Sequence, residues 1–291
     1  MTDTAIYRNQ PPGLWSLYSR VLLPKEKPSG GDIHIPELSA RLIGVSTAND
    51  TLKRYQTVCG FRPKTTLPVT WPHILAFPLH LKLLTEKAFP LPLLGLVHLR
   101  NRITQHRPIG AGESVDIAVR LDGQEKTAKG LEFDLITEAW SAGRLVWEET
   151  STNLFRQADK SDKQSGSKPP ELPRYAETTE IIAPESIGRQ YASVSGDRNP
   201  IHLHALTAKA FGFPRAIAHG MWSKARVLAL LEQQSGWRQD AVSISCQFKK
   251  PLFLPGTAQL NWQAGKSGWD YQLLNASGSA PHLSGEIRWG S

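Results

Sequence analysis

The chain has 291 residues, of which 40% are hydrophobic and 21% charged, so it can form one large or two ordinary packed domains and is not wholly disordered. Lys and Arg number 34 against 26 Asp and Glu, which gives a formal net charge of +8. This excess favours an acidic partner. The basic residues are scattered and form no run of five, which argues against a nucleic-acid-binding surface.

The cysteines and the apolar stretches indicate a reducing compartment and no membrane segment. Cys59 and Cys246 lie far apart and form no CxxC motif, so neither a disulfide framework nor a zinc knuckle is expected. Residues 1–12 are polar and have no apolar core of a secretory signal. The mostly apolar stretch at residues 67–81 contains three prolines and is too short to span a bilayer. We therefore expect a cytoplasmic protein that has no contact with a membrane.

Residues 156–173 are rich in Lys, Asp, Ser, Gly and Pro and contain almost no large apolar side chain. Such a composition predicts an exposed linker between an N-terminal domain, residues 1–155, and a C-terminal domain, residues 174–291. Three short motifs recur in the same order in the two halves: 55–60 and 191–196, 72–75 and 218–221, and 105–108 and 248–251. Chance similarity is the alternative, but three matches in order favour duplication of one structural unit.

The predicted elements follow one plan in both halves. The first half has a mostly apolar helical segment and then four strands, at residues 70–85, 96–107, 114–121, 130–141 and 144–155. The second half has a strand, two helices and four strands, at residues 177–183, 184–193, 220–233, 242–248, 258–264, 269–275 and 282–289. A buried helix followed by an antiparallel sheet in each half predicts an α+β fold with the sheet wrapped around the helix.

The stretch from Tyr191 to His202 carries the clearest chemistry of the chain. Asp197 and His202 are five residues apart and flank the Asn199-Pro200 pair. Because proline disfavours helix for the residue before it, this segment is expected to be a structured loop. A carboxylate and an imidazole on one loop are the pair needed to add or remove water next to a carbonyl, since both the water and the α-carbon exchange protons.

A second feature lies at the start of the predicted buried helix. His219 and Gly220 precede its first turn, where free N–H groups suit an oxygen that develops negative charge, and Gly220 has no side chain to block a ligand. Structural alternatives exist for each residue taken alone. Asp197 is also a common turn former before Asn-Pro, and His202 and His219 could simply pack or cap. The occurrence of all these features in one half favours the functional interpretation.

The pattern Tyr-x3-Ser-Gly-Asp-x-Asn-Pro-Ile-His-x5-Ala, from Tyr191 to Ala208, resembles the signature of the MaoC-like, or hydratase 2, family of enoyl-thioester hydratases and dehydratases. The resemblance covers residues 184–232 well and the C-terminal strands loosely. It implies two tandem hotdog domains, each an antiparallel sheet wrapped around a central helix. It also implies reversible hydration of a trans-2-enoyl thioester to the (3R)-3-hydroxyacyl thioester in fatty acid metabolism, with CoA or acyl carrier protein as carrier and no cofactor.

Carried onto this chain, the resemblance assigns Asp197 and His202 as the catalytic pair. As a hypothesis for the mechanism, the two residues hold the water between them and His202 delivers a proton to C2. The N–H of Gly220 polarises the thioester carbonyl. The residues expected to bind substrate or shape its site are Tyr191, Asn199 and His219.

The chain departs from the family pattern at two places. His204 stands where the family often has an acidic residue, so it receives no catalytic role, and a His202–His204 metal pair has no third ligand at a suitable spacing. In the first half, Gly60 is followed by Phe-Arg-Pro with no Asp or His, and Ile74 matches Gly220. The N-terminal domain is therefore expected to be a degenerate hotdog that completes the sheet and shapes the acyl site.

Two other classes of function stay open from the sequence. A non-catalytic hotdog protein would bind acyl thioesters or act as a scaffold, and a hotdog thioesterase would need a carboxylate placed to activate water at the carbonyl carbon. The presence of both Asp197 and His202 favours the dehydratase. The sequence leaves the carrier, the acyl chain length and the formation of a homodimer open.

Overall fold

The computed structural model describes residues 4–21, 33–156, 171–238 and 240–290. The predicted linker at residues 156–173 therefore lies almost entirely outside the described residues. The first half contains β1 (Ala5–Arg8), α1 (Leu14–Val21), β2 (Ser39–Ser46), α2 (Asp50–Cys59), α3 (Trp71–Leu84), β3 (Leu96–Gln105), β4 (Ser114–Thr127), β5 (Gly130–Ser141) and β6 (Arg144–Arg156). The second half contains β7 (Glu177–Ala183), α4 (Ile187–Ser195), a 3-10 turn (Pro200–His202), α5 (Ala205–Ala210), α6 (Gly220–Leu231), β8 (Val242–Phe248), β9 (Gly256–Ala264), β10 (Gly268–Asn275) and β11 (Pro281–Trp289).

All the strands of the described residues form one sheet in the order β1-β2-β4-β5-β6-β3-β8-β11-β10-β9-β7. Apart from the parallel β1–β2 pair, neighbouring strands are antiparallel. The order β2-β4-β5-β6-β3 repeats as β7-β9-β10-β11-β8, so the two halves have the same topology. They meet where β3 pairs with β8, with Arg102 opposite Ser245. This repeated order matches the duplication that the sequence motifs indicate and agrees with the predicted α+β class.

The two central helices, α3 and α6, lie almost fully buried against the sheet. In α3, Pro72 occupies the first turn, where its missing N–H costs no helical hydrogen bond, and Pro78 lies inside the helix. Both helices are apolar on nearly all sides, as expected for helices covered on every face. Among the described residues, none of the helices combines the length and the apolar character that a membrane crossing needs.

Several element predictions are confirmed and others need correction. β5, β7 and β8 have the predicted bounds. β4 continues six residues beyond its predicted end, because the polar residues 122–127 form a hairpin with the start of β5. The sequence patterns gave no prediction for β1, α1, β2 and α2.

The proposed match of His73 with His219 is displaced in the structure. His73 lies inside the first turn of α3, whereas His219 is the residue that precedes α6. The two histidines therefore occupy different places in their helices, although the two half-sheets are equivalent. Short motif matches located the repeat but not the residue-level alignment of the helices.

A buried polar network joins the two halves beneath the central helices. Lys224 of α6 donates through Nζ to the side-chain oxygen of Asn101 on β3, and to the carbonyl oxygen of Ile244 at 3.4 Å. Asn101 Nδ2 donates to Glu149 Oε1 on β6 (2.6 Å), and His73 Nδ1 lies 2.8 Å from Glu149 Oε2. Burial lowers the pKa of Lys224 to about 8. Because the network is buried, removing one member leaves its partners unsatisfied.

The ionised Glu149 is expected to stabilise the fold. Burial acts to raise the pKa of its carboxyl, but His73, with help from His80 and Asn101, holds it at about 2, below the ordinary 4.5. A depressed carboxyl pKa stabilises the native state above the unfolded pKa, and this stability is lost as the pH falls through the folded value. From about pH 6 to about pH 3, the free energy of unfolding of the wild type should therefore fall by about 1–3 kcal/mol more than that of Glu149→Gln.

Urea unfolding at the two pH values measures this difference. Glu148→Gln is the matched control, because the neighbouring Glu148 side chain is 44% exposed. An equal pH dependence in the Glu149→Gln variant and the wild type would contradict the assignment.

Candidate active site

The loop that follows α4 is shaped by its own sequence. Gly196 ends the helix in the left-handed conformation (φ 80°), which suits glycine because it has no Cβ. The 3-10 turn then starts at Pro200, and the Asn199 side-chain oxygen accepts the N–H of Ile201 at 3.4 Å. The predicted loop is thus confirmed. The contact that the structure shows for Asn199 is this cap of the turn, and its role towards substrate stays a prediction.

The loop brings Asp197 and His202 together with His219. The imidazole rings of His202 and His219 stack with centroids 3.8 Å apart. His219 Nε2 lies 3.0 Å from the backbone oxygen of Asp197 and 3.9 Å from its carboxylate. His202 Nδ1 lies 2.8 Å from the carbonyl oxygen of Ile217. The carboxylate of Asp197 also accepts the N–H of Asn199 at 3.1 Å.

These partners determine which nitrogen of each imidazole carries the hydrogen. A carbonyl oxygen only accepts, so Nδ1 of His202 and Nε2 of His219 are the protonated nitrogens of the neutral rings. His202 therefore presents the lone pair of Nε2 as a proton acceptor. Nδ1 of His219 is buried and has no hydrogen-bond partner among the described residues. His202 thus offers a free base, whereas His219 supports the loop through its hydrogen bond to the backbone of Asp197.

The electrostatics favour one carboxylate beside two neutral imidazoles. Burial lowers the pKa of His202, although Asp197 opposes this effect. Burial and the neighbouring His202 lower the pKa of His219 to about 3. Burial acts to raise the pKa of Asp197, but His219, His202 and the N–H of Asn199 together hold it below its ordinary value. The site is therefore set for acid–base chemistry near neutral pH.

Asp197, His202 and His219 are also residue types that can bind a metal ion. Their ligand atoms lie within 4.8 Å of one another. The Nε2 of His219 lies 3.0 Å from the backbone oxygen of Asp197 and carries a hydrogen in the neutral ring, so it offers no lone pair to an ion. A tetrahedral ion needs lone pairs that converge on one point. His204 is exposed and lies outside the cluster. The arrangement suits a water better than an ion, and the expected absence of a metal stays a prediction.

Gly220 is the first residue of α6, directly after His219. Its N–H has no hydrogen-bond partner among the described residues, as expected for the first turn of a helix. A Cβ at this position would lie 3.0 Å from the ring of Phe248, so even alanine would crowd the neighbouring strand. A free donor at a positive helix end is thus placed beside the Asp197–His202 pair.

α4 packs closely behind the site. Tyr191 is 2% exposed, and its ring contacts His219 (centroids 4.9 Å) and Tyr55 (6.2 Å). Tyr191 therefore supports His219 from behind, and its predicted role in substrate binding stays a prediction. A Cβ at Gly188 would lie 1.9 Å from the backbone oxygen of His202, so the turn that carries His202 rests directly on the helix backbone.

The sequence analysis missed Tyr18 on α1. Its hydroxyl donates to the carbonyl oxygen of Gly196 (2.8 Å) and accepts the N–H of Arg198 (2.7 Å). These two peptide groups flank Asp197, so one side chain of the first half holds the backbone of the loop on both sides of the carboxylate. The guanidinium of Arg198 also lies 5.4 Å from the ring centroid of Trp15. The only local signal in the sequence is the three-residue spacing of Trp15 and Tyr18, which would place two aromatic side chains on one face of a helix.

The first half shows the same framework without this chemistry. α2 ends at Gly60, which is left-handed like Gly196. An open crevice follows it, whose polar lining from this half includes Gln56, Arg62, Lys64 and Gln105. The crevice lining from this half contains neither a carboxylate nor an imidazole, whereas the second half contributes Glu232 and Asp240. That the first half is a degenerate unit stays a prediction.

Comparison with known proteins agrees with the architecture. Residues 164–275 match the family model described as "MaoC like domain". The chain is 39% identical over 237 residues to a 3-hydroxyacyl-thioester dehydratase X of Mycobacterium tuberculosis, and the match covers 80% of this chain and 83% of that protein. The crystal structure of HtdX from the same organism superposes with a TM-score of 0.75 at 34% identity and covers 87% of this chain and 100% of that one.

A third similarity concerns the fold alone. A conserved hypothetical protein of Mycobacterium tuberculosis, described as a double hotdog fold, is 12% identical with a TM-score of 0.54, over 90% of this chain and 96% of that one. The repeated half-sheets around α3 and α6 are thus a double hotdog. With the extended match to the dehydratase, this shows that the chain belongs to the MaoC-like dehydratase family.

Proposed function

We propose that the protein catalyses the reversible interconversion of a (3R)-3-hydroxyacyl thioester and a trans-2-enoyl thioester plus water. The observation that carries this proposal is the meeting of Asp197, the free Nε2 of His202 and the free N–H of Gly220 at the start of α6. The similarity to a 3-hydroxyacyl-thioester dehydratase over most of the chain supports it. The (3R) configuration follows from the family resemblance.

The start of α6 binds the thioester carbonyl in this proposal. The N–H of Gly220 donates to the carbonyl oxygen, and the helix dipole stabilises the negative charge that this oxygen gains as an enolate. Glycine suits this position, because a Cβ would lie 3.0 Å from the ring of Phe248, which would have to shift to admit a side chain. This places C2 and C3 of the acyl chain next to His202 and Asp197.

The proton movements follow from the position of the lone pair of His202, which lies on Nε2. In hydration, Asp197 and Nε2 of His202 hold the water, and Nε2 takes one of its protons as the oxygen bonds to C3. The C2–C3 π electrons move to the thioester oxygen as an enolate. The imidazolium of His202 then returns the proton to C2 while the enolate collapses, so H and OH have been added across the double bond. In dehydration the same groups act in reverse, and the ionised Asp197 stabilises the imidazolium in both directions.

We further propose that residues 1–155 and 174–291 form two hotdog domains and that the second contains the chemistry. The first contributes half of the sheet, the buried network around Glu149 and the hydrogen bonds of Tyr18. The cytoplasmic location and a homodimer stay predictions.

The first experiment is an enoyl hydration assay with crotonyl-CoA, a medium-chain trans-2-enoyl-CoA and the same acyl groups on acyl carrier protein. Asp197→Asn and His202→Gln should each lower kcat roughly 10²–10⁴-fold, because each removes one acid–base contribution. His204→Ala is the control, since this exposed histidine lies two residues from His202 and outside the cluster.

The stereochemistry of the product checks the (3R) assignment. An inert wild-type protein on both carriers would favour a binding or scaffold protein. Hydrolysis of the thioester without hydration would favour a thioesterase.

The pH dependence of kcat/KM tests the state of His202. The imidazole must be neutral to accept a proton from water, and burial lowers its pKa below the ordinary 6.5. Activity should therefore persist below pH 6.5 and fall only as the pH passes the lower value in the folded protein. Circular dichroism at each pH separates this loss from unfolding. A fall of kcat/KM on the acid side with its midpoint at or above pH 6.5 would show that the imidazole of His202 is solvated or stabilised as a cation.

Tyr18 is a positioning residue in this scheme, because it touches only the backbone on both sides of Asp197. Tyr18→Phe should lower kcat roughly 10- to 100-fold by letting the carboxylate shift, with a smaller change in KM. In the Asp197→Asn background the same substitution should have little further effect, since the carboxylate it positions is already gone.

Tyr175→Phe supplies the matched control for the removal of a phenol hydroxyl, because Tyr175 lies beside β9, away from the loop. If the loss of kcat in the double variant equals the product of the two separate fold losses, Tyr18 does not act through the carboxylate of Asp197.

A further inference from the structure

The positive charge of the chain is concentrated around the site. Residues 186–231 contain six basic residues and a single acidic one, Asp197, whereas the rest of the chain contains 28 basic and 25 acidic residues. This segment therefore supplies +5 of the net +8. Four of its basic side chains are exposed: Arg189, Arg198, Lys209 and Arg215. Among the described residues none of these four forms an ion pair. The surface therefore keeps an uncompensated positive charge.

Large apolar side chains are exposed on the same surface. Leu206 on α5 is 81% exposed, Phe211 directly after α5 is 41% exposed, and Trp15 beside Arg198 is 79% exposed. These are three of the five exposed large hydrophobic residues of the described chain. α5 is held by the buried Ala208 and by the hydroxyl of Thr207, which donates to the carbonyl oxygen of Pro200 at 2.6 Å. Leu206 is thus presented to solvent by a helix that is anchored on its other side.

Both groups are attached to the catalytic loop. Arg198 follows Asp197, and α5 begins three residues after His202. Arg189 donates to the carbonyl oxygen of Leu203, between the 3-10 turn and α5. We call the set Trp15, Arg189, Arg198, Leu206, Lys209 and Phe211 the docking rim. A ligand that occupies the rim is therefore held beside Asp197 and His202.

We propose that the docking rim binds an acidic acyl carrier protein, which delivers the thioester into the site. This inference rests on the proposed function and names its carrier. Charge complementarity selects an acidic partner, and exposed apolar side chains together with exposed unpaired cations are typical of a protein interface. The phosphates of CoA would satisfy two or three cations but would leave Leu206 and Phe211 uncovered. A protein surface covers both kinds of side chain.

The test compares one enoyl group on acyl carrier protein and on CoA, at fixed salt. Leu206→Asn and Lys209→Glu should each lower kcat/KM about tenfold for the acyl carrier protein substrate, mainly through KM, and leave kcat/KM for the CoA substrate within about twofold. The matched controls are Ile182→Asn and Lys266→Glu, which make the same changes at an exposed strand position of β7 and in the β9–β10 turn. These controls should leave both substrates unchanged.

Two groups of results would overturn the proposal. Three results would show that the docking rim does not dock a carrier protein, while the proposed reaction would stand. They are equal losses of kcat/KM on both carriers, an unchanged KM in the rim variants, and turnover of CoA substrates alone. Rim-dependent binding to vesicles of anionic lipid, with no selective effect on the carrier-protein substrate, would assign the rim to a membrane surface instead. An enzyme inert on both carriers would refute the proposed function itself.

Discussion

The pairing of β3 with β8 is the contact on which the geometry of the site depends. It joins the two half-sheets in one register, so that α6 of the second half packs over strands of the first. The buried Lys224 is then within reach of Asn101 and, through it, of Glu149 and His73. The helix that offers the Gly220 N–H is therefore held by both halves of the molecule, and its position does not depend on one domain alone.

The same joint explains how the first half contributes to the candidate site. α1 reaches across to the loop between α4 and the 3-10 turn, and Tyr18 holds the peptide groups on both sides of Asp197. The second half supplies the carboxylate, the imidazole and the helix start, and the first supplies their rigid surroundings. Preorganisation of this kind is what makes an acid–base pair effective, because small displacements of a catalytic group are costly.

Much of this arrangement could be predicted from the sequence, because its signals are local. Alternating apolar residues give the bounds of β8, and the segment from Tyr191 to Ala208 identifies the loop and the family. Long-range contacts could not be predicted. Tyr18 and Gly196 are 178 residues apart, and no pattern near either one indicates that they meet. The convergence of His219 on Asp197 likewise depends on packing of α6 rather than on spacing.

The close contact at Gly188 has a consequence for the history of the chain. By the offset that matches Tyr55 with Tyr191, the equivalent residue in the first half is Leu52, whose side chain is buried in α2. The backbone of a histidine turn could not rest on a leucine as it rests on Gly188, where even a Cβ would lie 1.9 Å from an oxygen. We propose that the first half is a copy that lost its turn, since a bulky residue in that space stabilises the core. Restoring the turn alone would then meet a steric block, so such a loss is difficult to reverse.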